Sequence, residues 1–114
     1  MDDTKNLAEK NTMEIILHAG DARVSIMKAL DLIGTSDYQR ANDLMKDAHK
    51  KLVLAHRLQT NKLQQEAEGK KIAYSVLFTH AQDTLMTINT EYNLVKHLIK
   101  VFEIKEGKEN DGKK

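Results

Sequence analysis

The sequence predicts an all-α protein that folds as an antiparallel three-helix bundle. Its 114 residues include no proline and five glycines, and 4% are aromatic, which argues against a β-rich or loop-rich fold. Apolar side chains recur at alternating spacings of three and four residues, as in amphipathic helices. Gly34 and Gly69 divide the chain into three such segments. Short connections between long helices predict an up-down-up arrangement.

The first helix is predicted from about Asn6 to Ile33. Gly34 follows it and suits the left-handed turn that closes a helix. The apolar seam of this helix comprises Ile15, Ala19, Ala22, Ile26, Ala29 and Ile33.

The second helix is predicted to begin at Ser36, because Ser36 and Gln39 have the spacing of a capping box. The seam weakens past Leu58, where the polar residues either are solvated or meet another chain, and Gly69 ends the helix. The seam itself comprises Ala41, Met45, Ala48, Leu52 and Ala55.

The third helix is predicted from about Lys70 to Ile104. The ten residues after it, K-E-G-K-E-N-D-G-K-K, are too polar to bury. We therefore expect one folded domain over residues 1–104 and a disordered polar tail over 105–114.

The third helix shows two apolar faces where a bundle with one core requires one. At about 100° per residue, the core face lies roughly opposite Asp83 and comprises Leu77, Ala81, Leu85, Ile88, Tyr92, Val95, Ile99 and Phe102. The second face surrounds Asp83 and includes Ile72, Val76, Thr79, Met86, Thr87, Thr90, Leu94 and Val101. This second apolar face predicts an oligomer interface with Asp83 at its middle.

A carboxylate in an apolar interface needs a proton, a partner or a cation. Symmetry brings identical Asp83 side chains together, so they share either protons or an ion. Carboxylate oxygens completed by waters suit a hard ion such as Mg²⁺. The alternative is that Asp83 faces a water-filled groove and has no role.

His80 lies one turn before Asp83, at the border between the core face and the second apolar face. A partly exposed, neutral imidazole there is available as a nucleophile. The simpler interpretation is a packed or surface histidine, and it applies equally to His18, His49, His56 and His97. A His-x-x-Asp pair alone is a weak metal signal, because structural zinc sites need about four ligands.

Composition excludes several classes of protein. The chain has no cysteine, so it has neither a disulfide framework nor a thiolate of its own. A net charge of +1 points neither to nucleic acid nor to an anionic membrane. The N-terminal residues do not form a signal peptide, and no 18-residue apolar span occurs. We expect a soluble cytoplasmic protein.

Three stretches carry a family resemblance: L77-F-T-H-A-Q-D-T-L-M-T87, H18-A-G-D-A-R23 and A55-H-R-L-Q-T60. Together they resemble the lactose/cellobiose-type enzyme IIA of the bacterial sugar phosphotransferase system, over roughly Thr12 to Ile104. The resemblance implies a three-helix bundle that assembles as a homotrimer.

The resemblance also implies roles for matching residues. His80 corresponds to the histidine that carries the phosphoryl group, and Gln82 to the glutamine beside the active site. Asp83 corresponds to the aspartate whose three copies hold a metal ion, usually taken as Mg²⁺, at the trimer axis. Thr84 stands where many relatives have a second histidine, which leaves that position without an assigned role.

The function that the resemblance implies is phosphoryl transfer from phospho-HPr to the cysteine of enzyme IIB, for uptake of a lactose-, cellobiose- or chitobiose-type disaccharide. Contact with the membrane is then only indirect, through the permease. Two alternatives remain: a histidine phosphotransfer domain of two-component signalling, and a non-catalytic helical scaffold. Histidine phosphotransfer domains typically have basic residues beside the histidine, whereas this chain has no Lys or Arg between Lys71 and Lys96.

Overall fold

The computed structural model describes residues 3–69 and 75–112. Over these ranges the chain forms three helices and no strand: α1 (Asp3–Ile33), α2 (Tyr38–Ala67) and α3 (Val76–Gly112). They pack as a three-helix bundle that measures 70 × 23 × 18 Å. The predicted start of the third helix at Lys70 lies outside the described residues.

The connection between α1 and α2 differs from the prediction by one residue. Asp37, and not Ser36, is the N-cap of α2, and its carboxylate accepts a hydrogen bond from the backbone N–H of Arg40 at 3.3 Å. Ser36 takes the left-handed conformation expected of Gly34, with φ of 59°. The turn therefore places the cap one residue later than the capping-box pattern indicated.

The core follows the predicted seams closely. Its largest fully buried apolar side chains are Ile15, Ile26, Ile88 and Ile99. Alanines occupy many of the remaining core positions, and their small side chains let the helix axes approach. The seams differ from the prediction at four residues: Ile33, Leu77 and Tyr92 are half-buried, and Phe102 is exposed. Past Leu58, where polar residues were predicted to be solvated or to meet another chain, Gln59 is instead buried.

Contacts between helices establish the rotation and register of the bundle. The Nε of Arg23 on α1 donates to the carboxylate of Glu91 on α3 at 2.8 Å. The ring centroids of His49 on α2 and Tyr92 on α3 lie 5.7 Å apart. The first contact marks the flank of α3 that faces α1, and the second the flank that faces α2.

The C-terminal prediction was wrong for residues 105–112, because α3 continues as helix to Gly112. Lys and Glu are good helix formers, and extending an existing helix costs far less than starting one. The extension also lies near α2, because hydrogen bonding with the Glu106 carboxylate raises the pKa of the Tyr38 phenol. Glu106 therefore lies beside the start of α2.

Removal of residues 105–114 is expected to leave the phosphoryl transfer that the resemblance implies unchanged, because these residues lie at the end of α3 farthest from His80. The melting temperature should fall by less than about 4 °C, the shift that corresponds to about 1 kcal/mol in a domain of this size. Tyr38→Phe removes only the phenolic hydroxyl and is the matched control. A larger fall in the truncated protein than in Tyr38→Phe would show further tail contacts.

A hydrogen bond between α1 and α2 makes stability depend on pH. The hydroxyl of the buried Ser25 donates to the carboxylate of Asp47 at 2.9 Å. The contacts with Lys51 and then Ser25 lower the pKa of Asp47. A lowered pKa stabilises the folded state above the unfolded-state pKa, and this contribution is lost as pH falls through the folded-state pKa.

Ser25→Ala should therefore have a lower free energy of unfolding than the parent at neutral pH. This difference in free energy should become smaller below about pH 4. Urea unfolding of both proteins at neutral pH and below about pH 4 measures the difference. An equal difference in the two conditions would contradict the role given to the Ser25–Asp47 hydrogen bond.

None of the helices in the described part of the chain is both long and apolar enough to cross a bilayer.

Candidate active site

The N-terminus of α3 is held by Ser75. The hydroxyl of Ser75 accepts a hydrogen bond from the N–H of Phe78 at 3.1 Å. The carbonyl of Ser75 accepts two more at 3.2 Å, from the N–H and from the hydroxyl of Thr79. The bond from Phe78 satisfies a backbone donor that a helix start leaves unpaired, and the bond from the N–H of Thr79 is the first regular bond of the helix. They also fix the turn on which the next residue, His80, is carried.

His80 is exposed, and it makes no hydrogen bond or ion pair to any other described residue. It lies just past the first turn of α3, near the end of the helix that carries partial positive charge. An imidazole in this position is open to a reaction partner.

Asp83 is also exposed and without a partner among the described residues. It lies about 60° around α3 from His80, so the structure brings the two predicted residues to adjoining parts of one turn. Around it the second apolar face is open to solvent in the single chain. The exposed fractions are Val76 70%, Met86 57%, Leu94 60% and Val101 57%. Ile72, predicted to belong to this face, lies outside the described residues.

Gln82 lies elsewhere. It is half-buried and is turned about 160° around α3 from His80. It occupies the flank of α3 toward α2, whereas His80 occupies the flank toward α1. Thr84 is half-buried on the same flank as His80. Within one chain, therefore, Gln82 is not beside the ring of His80.

A groove of about 590 Å³ runs between α2 and α3. Its α2 wall combines the apolar Leu52 and Val53 with polar side chains, which include His49, His56, Arg57, Thr60, Asn61 and Gln64. Its α3 wall includes Leu85, Met86 and Asn89. Sequence reasoning did not assign this groove. The signal was present in the polar residues that recur at helical spacing along α2, but their common orientation toward α3 depends on packing.

Lys62 is a further cation near the start of α3. Its Nζ lies 4.1 Å from the centroid of the Phe78 ring. Burial lowers the pKa of Lys62. Because Phe78 projects toward α2, this cation lies on the flank of α3 away from His80.

No three His, Cys, Asp or Glu side chains cluster as metal ligands in the described ranges. Asp83 nevertheless fits one part of the predicted ion site, because it presents a hard carboxylate ligand, exposed and unpaired on an apolar face. A complete set of ligands then requires Asp83 from further subunits.

A helical bundle that presents an exposed histidine near the start of its last helix has the features of a phosphohistidine carrier. Comparison with known proteins specifies which kind. Residues 10–103 match the model of the family described as PTS system, Lactose/Cellobiose specific IIA subunit. The chain is 42% identical over 90 residues to the lactose-specific EIIA component of Staphylococcus epidermidis, covering 79% of this chain and 86% of that protein.

Solved structures agree with this match. The cellobiose-specific enzyme IIA of Bacillus anthracis superposes with a TM-score of 0.82 at 36% identity, over 89% of this chain and 93% of that one. The chitobiose IIA protein of Escherichia coli, solved in complex with HPr, gives 0.75 at 29% identity, over 87% and 96%. The chain belongs to the lactose/cellobiose-specific IIA family of the phosphotransferase system.

Proposed function

We propose that the protein accepts a phosphoryl group on His80 from phospho-HPr and passes it to the cysteine of its cognate enzyme IIB. The transfer serves uptake of a disaccharide of the lactose, cellobiose or chitobiose type. The proposal rests on the His80 imidazole, which is exposed and has no partner among the described residues. His80 begins the H-A-Q-D stretch that resembles the family. A similar protein solved with HPr supports the choice of donor.

The transfer balances without a further reactant. The imidazole nitrogen of His80 attacks phosphorus in line, and the P–N bond of the donor phosphohistidine breaks. The donor enters as a phosphoimidazolium and leaves as neutral imidazole, while His80 changes from imidazole to phosphoimidazolium. A thiolate then takes the phosphoryl group, and His80 returns to neutral imidazole. Positioning and charge stabilisation supply most of the rate in such transfers.

The second apolar face supports assembly as a homotrimer around α3. Face-to-face packing would bury Val76, Met86, Leu94 and Val101, which one chain leaves exposed. Three Asp83 carboxylates would then meet at the axis. A Mg²⁺ ion bound there would offset two of their three negative charges, and the phosphoryl chemistry would remain with His80.

The deciding experiment is labelling with radioactive phosphoenolpyruvate, enzyme I and HPr. We expect acid-labile label on the protein, located at His80 by peptide mapping and dependent on HPr. A two-component phosphotransfer domain would take label from an aspartyl-phosphate donor instead, and a scaffold from neither. Absence of label with active HPr present would refute the proposed function.

A further inference from the structure

The two flanks of α3 carry different groups. The flank toward α1 carries His80, which lies about 20° around the helix from Glu91, the partner of Arg23. The flank toward α2 carries Gln82 and Met86, and it continues into the groove between α2 and α3. Asp83 lies between these two flanks.

Threefold symmetry brings the two flanks together. If Asp83 of each copy points toward a common axis, the α1-side flank of one α3 meets the α2-side flank of the next, whatever the direction of rotation. His80 of one subunit then faces the groove between α2 and α3 of its partner, which Arg57 lines. Gln82 of the partner subunit lies on the same flank. It would then lie beside the active site, as the resemblance implies, although it is turned away from His80 in its own chain.

The register of α2 and α3 identifies the residue at the right height. Lys62 lies over Phe78, and His49 lies beside Tyr92. Because the two helices are antiparallel, both contacts place Arg57 level with Asp83 or the following residue. Parallel α3 helices around an axis share their heights, so this arginine lies within about 6 Å of His80 along the axis, roughly one helical turn.

Arg57 has the charge and the freedom that this position needs. It is exposed and has no ion pair or hydrogen bond among the described residues. In contrast, Arg23, on the α1 side of the bundle, is already paired with Glu91. A phosphoryl group brings nearly two negative charges, and guanidinium binds such oxygens through two parallel hydrogen bonds.

We propose that Arg57 of the partner subunit binds the phosphoryl group carried by His80, so that each active site is completed by two chains. The inference rests on the proposed function and on assembly around Asp83. A second copy of this chain then occupies the groove between α2 and α3. The α1-side flank of that copy's α3 packs against the groove.

The test uses phosphoryl labelling from phospho-HPr. Arg57→Ala should lower the labelling rate by at least about tenfold, as removal of one charge-stabilising group does in other transfers. Arg57→Lys keeps the positive charge but lacks the planar guanidinium group. Its labelling rate should lie between those of Arg57→Ala and the parent. Arg40→Ala removes a positive charge from the far end of α2 and should label at the parental rate.

Mixed trimers distinguish action between chains from action within one. Refolding Arg57→Ala with an excess of His80→Gln surrounds each intact His80 with subunits that retain Arg57. The rate per intact His80 should return to near the parental rate. An excess of the double variant His80→Gln/Arg57→Ala should give no recovery.

Two outcomes would overturn the inference while leaving the proposed function intact: parental labelling of Arg57→Ala, or a slow variant that the His80→Gln excess fails to rescue. A parent protein that takes no label would instead refute the proposed function itself, and the inference with it.

Discussion

His80→Gln is expected to abolish phosphoryl acceptance completely while leaving the fold unchanged. The amide of glutamine has no nucleophilic ring nitrogen, so the P–N bond cannot form. The exposed imidazole makes no hydrogen bond or ion pair in the described structure, so its loss should not change the melting temperature. Acid-labile label and circular dichroism melting measure the two expectations.

His97→Gln is the matched control, because His97 is also an exposed histidine on α3. It should label at the parental rate. If His80→Gln retained full label, with His97 or His18 carrying the phosphoryl group, the site assignment would be wrong although the family would remain the same.

Asp83→Leu is expected to keep the proposed trimer and to make its assembly insensitive to chelator. Convergence of three carboxylates is unfavourable unless a cation or protons offset their repulsion. Leucine removes the charge and extends the apolar face formed with Val76 and Met86. Replacement of a buried charge cluster by apolar side chains is often neutral or stabilising, by about 1–4 kcal/mol. Phosphorylation of His80 should persist, at a reduced rate if the ion helps to position the subunits.

Analytical ultracentrifugation with and without chelator measures this expectation. A monomeric Asp83→Leu protein would mean that the cation holds the trimer together. If the parent protein is monomeric in every condition, there is no symmetry axis for Asp83 to face. The exposed apolar face of α3 would then have no explanation as an interface.

Much of the fold could be predicted because helical periodicity is local. The spacing of Ile15, Ala19 and Ala22 specifies a buried stripe before any partner helix is known, and the structure buries all three. The same periodicity predicted that α3 has a second apolar face, which the exposure of Val76 and Leu94 confirms. Ends of helices were harder, because the choice between Ser36 and Asp37 as cap depends on the path of a single turn.

The candidate site likewise has some features that the sequence could predict and others that depend on packing. That His80 and Asp83 share one turn follows from their separation of three residues. That Gln82 lies on the opposite flank toward α2 depends on how α3 is rotated in the bundle. The contact of Tyr38 with Glu106 joins residues far apart in sequence, and only packing brings such pairs together.

The sequence by itself determined three amphipathic helices, most of the buried stripe of each, and a histidine with a carboxylate one turn beyond it. These properties follow from the pitch of the α-helix, which relates only neighbouring residues. The tertiary structure decided which flank of α3 faces α1, which faces α2, and that Arg57 stands level with Asp83. Rotation and register between helices are set by how side chains from distant segments interlock, and no local period encodes that fit.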